Sequence, residues 1–325
     1  MCSSRVIALL APGQGSQTPG MLSPWLELDG ARERVAAWSE NAGLDLVRLG
    51  TTADADEIKD TAVTQPLVVA LSLLAAEQLR ARFDIPSDTP VAGHSVGELA
   101  AAGIAGVLSP EDAIALASVR GREMAAACAL EPTSMSAVLG GDPDEVVRHL
   151  EVLGLDPANR NGAGQIVAAG RKPALEALAE EPLTGTKVRP LAVAGAFHTR
   201  FMAPAQDAFG AQADKTAAAD PALPLLSNSD GSVVTSGAEF LRLLVSQITR
   251  PVRWDSCVAT LAERGVRAVV EFPPAGALTG LVRRELKGTK TVALKKPDDL
   301  DKVADLLAAD SEESAQNANT TGSDA

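Results

Sequence analysis

The sequence predicts an α/β protein in which a small βαββαβ lobe is inserted into a larger layered domain, and three observations carry that expectation. Val91-Ala92 can end a short buried strand, and Gly93-His94-Ser95-Val96-Gly97 follows with the Gly-x-Ser-x-Gly spacing of a sharp strand-to-helix turn. From about 131 to 193 the rhythm changes to short strands and short helices in the order βαββαβ, a ferredoxin-like arrangement. The chain of 325 residues is long for one small domain and natural for a large α/β domain or one carrying an inserted lobe.

Taken in order, Arg5–Ala11 reads as a buried strand that runs into the loop Pro12-Gly13-Gln14-Gly15-Ser16-Gln17. Helices are expected at about 24–41 and 64–82, the second with Leu67, Leu71, Leu74 and Ala75 on one face. After the elbow, Ser109-Pro110-Glu111-Asp112 starts a helix with a capping serine, a first-turn proline and acids at the positive end; this helix carries Arg120. Within the lobe, strands are expected at Ser134–Leu139, Leu155–Arg160, Gln165–Ala169 and Lys187–Val193, with helices from Pro143 and Pro173. Asn159 to Gln165 form the hairpin between the middle strands. Gly195-Ala196-Phe197-His198-Thr199 marks the return to the larger domain, ahead of a helix to about 214. A strand end at Leu225–Asn228, helices at 237–248 and 252–264, a core strand at Arg267–Phe272, a helix at 278–287, a strand at Thr291–Leu294 and a helix from Pro297 complete the fold. The expected organisation is a larger domain of 1–130 and 194–310, an inserted lobe of 131–193, and a disordered acidic tail of 311–325.

Composition removes several classes of function. Hydrophobic residues make up 46% and aromatics 3%, so the core must be built from Ala, Val and Leu. The net charge of −13 argues against nucleic acid or an anionic membrane surface as partner, although residues 298–325 alone contribute −7 of it. Cys2, Cys128 and Cys257 form no close pair, so neither a disulfide framework nor a zinc site is expected, and a reducing cytoplasm is the default. No secretory apolar segment follows Met1, and no unbroken apolar run reaches the roughly 18 residues of a membrane span.

The chemistry centres on Ser95. A serine hydroxyl is a weak nucleophile, so it must stand out of a tight turn where a base can reach it; at the start of a helix, free N–H groups also favour a developing oxyanion. A chance glycine-rich turn has the same spacing, and the motif needs its context. The two glycines around Gln14 can expose N–H groups for the same oxyanion; a phosphate loop there lacks the Gly-Lys-Ser/Thr ending. Of three histidines, His94 should point away from Ser95 and serve packing or hydrogen bonding, and His149 should be solvated. That leaves His198, after a strand-like segment and a glycine, as the base.

Five motifs in order now identify a resemblance. Gly13-Gln14-Gly15-Ser16-Gln17, Gly93-His94-Ser95-Val96-Gly97-Glu98, Arg120-Gly121-Arg122-Glu123-Met124, Gly195-Ala196-Phe197-His198 and Gln247-Ile248-Thr249-Arg250-Pro251-Val252-Arg253-Trp254 resemble those of malonyl-CoA:acyl carrier protein transacylases, over roughly residues 4 to 295. The resemblance implies an α/β-hydrolase-like core with the ferredoxin-like lobe inserted. It implies Ser95 as the acylated nucleophile, His198 as its base, and the backbone N–H groups of Gln14 and Val96 as the oxyanion hole. It further implies that the backbone carbonyl of Gln247 orients the histidine, that Arg120 holds the malonyl carboxylate, and that Asn161 lies near the site. Val96 and Phe197 resemble malonyl-selecting members. The implied partners are malonyl-CoA as substrate and an acyl carrier protein, in fatty-acid or polyketide synthesis, with no cofactor or metal and a monomeric enzyme.

Carrier proteins are acidic, so docking requires a local basic patch, for which Arg283, Arg284, Lys287 and Lys290 are the candidates. The chain departs from the family at Glu271-Phe272-Pro273-Pro274-Ala275-Gly276, which lacks a Gly-Pro-Gly turn. Two rivals stay open at this point. A thioesterase or lipase-like hydrolase shares the elbow, and a non-catalytic carrier-protein binder would bind without being acylated.

Overall fold

The computed structural model describes residues 6–307; the acidic tail expected at 311–325 lies outside the described residues. In chain order the main elements begin with β1 (Val6–Ala11), α1 (Ala31–Ala42), α2 (Leu46–Thr51), α3 (Thr61–Arg82), β2 (Val91–Gly93), α4 (Gly97–Ile104) and α5 (Pro110–Cys128). There follow β3 (Thr133–Gly140), α6 (Pro143–Val152), β4 (Asp156–Gly162), β5 (Gln165–Arg171), α7 (Lys172–Glu180) and β6 (Thr186–Pro190). The chain continues through α8 (Ala203–Ala213), β7 (Leu225–Leu226), β8 (Val233–Val234), α9 (Gly237–Gln247), β9 (Val252–Arg253), α10 (Trp254–Glu263), β10 (Val266–Glu271), α11 (Ala277–Glu285) and β11 (Lys290–Ala293).

These strands form two sheets. The first has the order β11-β10-β1-β2-β7-β8 and is parallel except for β8. Its central strands, β1 and β2, pair Leu9 with Val91 and Ala11 with Gly93, so the loop at Pro12–Gln17 and the Ser95 turn leave the same carboxyl edge side by side. That edge is where open α/β sheets present ligand sites. The second sheet has the order β6-β3-β5-β4-β9; its first four strands are antiparallel and joined through α6 and α7 in the sequence β3-α6-β4-β5-α7-β6. Mixed α/β architecture is therefore observed, with two layered sheets flanked by helices.

The core is mostly aliphatic, as the composition requires, but Trp25, Trp38, Trp254, Phe209, Phe240 and Phe272 are fully buried within it. Leu67, Leu71, Leu74 and Ala75 of α3 are all buried, and α3 is covered on nearly every side rather than on one face. By length and composition alone α3 could cross a membrane, yet 78% of its apolar window lies inside the fold. Polar Thr64, Gln65 and Ser72 interrupt the run, which is why the sequence shows no unbroken apolar stretch there. Gly121 lets α5 press onto the start of α3: a Cβ there would stand 2.7 Å from the Thr61 carbonyl oxygen. This close crossing brings Gln65 beside Arg120.

Several boundaries differ from expectation for local reasons. The helix expected at 24–41 is a 3-10 turn, Ser23–Glu27, and a separate α1, because Gly30 at φ 72° breaks the chain between them. The helix expected from 252 begins at Trp254, since Val252–Arg253 pair with Asn159–Arg160 as a fifth strand of the second sheet. Asn159 to Gly162 belong to β4 itself, and the hairpin turn is only Ala163-Gly164. His149 is half-buried rather than solvated, with Nε2 inaccessible.

Candidate active site

The strand-to-helix turn at Ser95 is built by close approach. A Cβ on Gly93 would lie 2.1 Å from the Gly97 carbonyl carbon, and one on Gly97 would lie 2.3 Å from the Ala11 carbonyl oxygen. Both positions therefore need glycine for space, while the left-handed backbone falls on Ser95 itself, at φ 55°. Such a conformation costs on the order of 1–3 kcal/mol in a non-glycine residue and persists only where its surroundings enforce it. Asn228 does so here: its Oδ1 accepts from the Ser95 N–H at 2.8 Å and its Nδ2 donates to the Gly93 carbonyl at 2.7 Å.

His198 reaches Ser95 from a second strained turn, at φ 60°. Thr199 braces that turn by donating its hydroxyl to the Ala196 carbonyl at 2.7 Å. The ring is buried; Nδ1–H donates to the Gln247 carbonyl oxygen at 2.8 Å, which leaves Nε2 to accept from the Ser95 hydroxyl at 2.7 Å. Burial first, and then the nearby Arg120 charge, push the His198 pKa down from 6.5 to about 3, so the imidazole rests neutral with its lone pair toward the serine.

Arg120 extends from α5 beneath the elbow and is 1% exposed. Its NH1 donates to Gln65 Oε1 at 2.7 Å, and its NH2 donates to Gln247 Oε1 at 2.8 Å and to Ser95 Oγ at 3.3 Å. Among the described residues, neutral oxygens alone hold it in direct contact. Burial lowers its pKa to about 10, so it stays cationic at neutral pH. A buried guanidinium without a carboxylate against it among the described residues, aimed at the Ser95 hydroxyl, is suited to bind an anionic group.

The remaining expected residues gather around this centre. A cleft of about 440 Å³ is lined by Gln14, Ser95, Val96, Arg120, Phe197 and His198, among others. The backbone N–H groups of Gln14 and Val96 donate no hydrogen bond among the described residues, and both residues border the cleft beside Ser95. Asn161 also lines the cleft, but its side chain is engaged: Oδ1 accepts from His94 Nε2 at 2.9 Å, and Nδ2 donates to Gln165 Oε1 at 2.9 Å. His94 packs its ring against Trp254, with centroids 5.6 Å apart, and thus has the packing and hydrogen-bonding place expected of it.

Sequence reasoning missed three members of the site, Gln65, Glu98 and Asn228. Glu98 follows the elbow by one residue and is 1% exposed; burial raises its pKa to about 8, against the Asn228 N–H and the Arg120 charge. Its signal was an acid inside an otherwise apolar helix start. Nothing in the sequence around Gln65 or Asn228 distinguishes them from core polar residues.

At the cleft mouth α11 contributes Arg284, with Ala277, Leu278 and Leu281. Arg283, Lys287 and Lys290 are exposed nearby. The Pro273-Pro274 departure leaves these positions undisturbed: buried Glu271 accepts from the N–H groups of Gly276, Leu278 and Thr279 at 2.8–3.0 Å and so caps α11. Among the described residues no group of His, Cys, Asp and Glu is arranged to hold a metal ion.

The family model described as the acyl transferase domain matches residues 9–324. The malonyl CoA-acyl carrier protein transacylase of Mycobacterium tuberculosis H37Rv is 63% identical over 302 residues, covering 93% of this chain and all of that protein. The chain belongs to the malonyl-CoA:acyl carrier protein transacylase family. Its structural relatives agree. The crystal structure of the transacylase from Mycobacterium tuberculosis matches this transacylase fold with a TM-score of 0.88 and 62% identity, covering 92% of this chain and 99% of that one. A type II polyketide acyl carrier protein in complex with its malonyl-transacylase gives a TM-score of 0.85 at 30% identity, covering 91% of this chain and 97% of that one. As a transacylase of this family the protein is an acyltransferase, and its Ser95, His198 and Arg120 occupy one cleft.

Proposed function

We propose that the protein transfers the malonyl group of malonyl-CoA to the phosphopantetheine thiol of an acyl carrier protein, through a malonyl ester on Ser95. The observation that carries this reading is the buried Arg120 guanidinium, 3.3 Å from Ser95 Oγ and held only by neutral oxygens. A malonyl carboxylate supplies the missing anion, and an acetyl group leaves the cation desolvated and unpaired, at a cost of roughly 2–5 kcal/mol.

In the first half-reaction Ser95 Oγ attacks the thioester carbonyl while His198 Nε2 takes its proton. The imidazolium formed is stabilised by the Gln247 carbonyl at Nδ1. The N–H groups of Gln14 and Val96 receive the oxyanion, each contributing roughly 3–4 kcal/mol when aimed at the tetrahedral intermediate. CoA leaves as the thiol, taking the proton back from His198. In the second half-reaction His198 deprotonates the carrier thiol, which attacks the malonyl ester and regenerates Ser95. A partly enclosed cleft supports survival of the ester between the two steps.

The same reading makes the acidic carrier protein the acyl acceptor, approaching over α11 and its exposed Arg283, Arg284, Lys287 and Lys290. It places a monomeric protein in the cytoplasm, supplying fatty-acid or polyketide synthesis without cofactor, nucleic acid or membrane. Residues 1–130 with 194–310 then form an α/β-hydrolase-like catalytic domain, and 131–193 an inserted ferredoxin-like lobe; the β3-α6-β4-β5-α7-β6 sequence with strand order β6-β3-β5-β4 supports the latter.

Intact mass after mixing the protein with malonyl-CoA alone tests this function. A single malonyl adduct, absent in Ser95→Ala and weak with acetyl-CoA, is the expected result. Release of free malonate at the rate of transfer makes the protein a hydrolase, and binding without an adduct makes it a scaffold.

A further inference from the structure

Glu98 takes no part in the chemistry above, yet it lies at the bottom of the hydrogen-bond chain that ends at Arg120. Its Oε1 accepts from the Asn228 backbone N–H at 2.6 Å and its Oε2 accepts from Gln247 Nε2. On the other side of the same amide, Gln247 Oε1 accepts from Arg120 NH2 at 2.8 Å. A glutamine amide can face either way, and its partners decide which. The reverse orientation would put NH2 against the guanidinium and oxygen against a carboxylate oxygen, two mismatched contacts in a site closed to water.

We infer that Glu98 is a positioning residue for acyl-group selection: its carboxylate, accepting at both oxygens, turns the Gln247 carbonyl oxygen toward Arg120 and holds the guanidinium where an acyl carboxylate meets it. This rests on the malonyl-transfer reading of the site. The argument turns on a fixed donor. The Asn228 N–H is backbone and cannot rotate, so one oxygen at position 98 is always committed to it. Whatever occupies the other head of that side chain must face Gln247. A carboxylate presents there the closest of three acceptors facing Gln247 Nε2, the others being Asn228 Oδ1 at 3.2 Å and the Ser95 carbonyl at 3.3 Å, whereas an amide whose oxygen is taken by Asn228 presents NH2 against NH2 and favours turning Gln247 over. The turned amide offers NH2 to Arg120 and displaces it.

Gln247 is also the residue whose backbone carbonyl holds His198, but that bond does not depend on which way the side-chain amide faces. Selection and reactivity are therefore separable at this residue. Two titratable groups interact with Glu98 from other elements, Arg120 on α5 and Cys257 on α10; burial and the Glu98 charge keep Cys257 a thiol, and His198 stands beyond the Gln247 carbonyl.

The experiment, run at about pH 9 where Glu98 is the carboxylate, compares acyl-enzyme formation from malonyl-CoA and from acetyl-CoA in the parent protein and in Glu98→Gln, an isosteric change. Malonylation kcat/KM is expected to fall by about tenfold or more, the effect of one mismatched buried donor pair, while acetylation stays within about twofold. Equal losses with both donors mean a purely structural role and overturn the inference, as does no loss with either. A parent pH profile provides the second arm should the variant not fold. The malonyl-to-acetyl ratio should rise as pH passes through about 8 and the carboxylate forms, because CoA and His198 are common to both donors and cancel. A flat ratio overturns the inference. A parent protein that forms no malonyl adduct at all sinks the functional reading instead, independently of Glu98.

Discussion

His198 Nε2 stands 2.7 Å from Ser95 Oγ, and both residues hold left-handed backbones, at φ 60° and 55°. Neither is glycine, so each turn stores strain that the surrounding hydrogen bonds of Asn228 and Thr199 offset. The pair is thus held at working distance before any substrate arrives, which removes a reorganisation step from the reaction.

The first prediction concerns acid. His198 titrates near 3 in the folded protein and near 6.5 when unfolded, so between those values the unfolded chain binds the extra proton. Its contribution to stability is present in full above about pH 6.5 and is lost as pH falls toward 3. Urea unfolding at a series of pH values from 7 to 4 should show falling stability, and His198→Gln should flatten that slope. An unchanged slope in the variant counts against the buried neutral imidazole.

The second concerns Arg120. Replacing it with alanine removes the cation beside Ser95 and should cost malonylation about 100-fold or more while sparing acetylation, as expected for a buried charge-assisted pair. Arg120→Lys should recover little, because an ammonium cannot bridge Gln65, Gln247 and the substrate in one plane. Comparison of kcat/KM for the two donors checks both variants.

The third concerns the elbow. Gly97→Ala sets a methyl 2.3 Å from the Ala11 carbonyl oxygen, backbone against backbone, with no flexible side chain able to give way. A loss of stability of roughly 3 kcal/mol or more is expected, together with loss of acylation. A variant melting within a few degrees of the parent contradicts the packing described here.

The fourth concerns the carrier. Arg284→Glu reverses an exposed charge at the cleft mouth and should raise KM for the acyl carrier protein severalfold at low salt, with malonylation from CoA unchanged. The difference should shrink at high ionic strength, where exposed charges are screened.

Much of the fold was legible because its signals are local. The Ser109-Pro110 start of α5, the elbow at β2 and the alternation over β3 to β6 all appear within a few residues of where they were expected. The pairing of Val252–Arg253 with β4 was not legible, since a two-residue strand has no period and its partner lies about ninety positions earlier. The site divides the same way. Ser95, His198 and Arg120 stand in recognisable motifs and meet in one cleft, whereas Gln65 and Asn228 acquire their places only when α3 crosses α5 and β7 joins β2.

That short strand has a mechanical consequence. Residues 247–253 carry, at one end, the carbonyl that steers the histidine ring and, at the other, the edge strand hydrogen-bonded to β4. The six peptide bonds from Gln247 to Arg253 therefore tie the support of the His198 ring to the edge of the second sheet. The wall of the cleft and the aim of the His198 ring are thus set by one stretch of backbone.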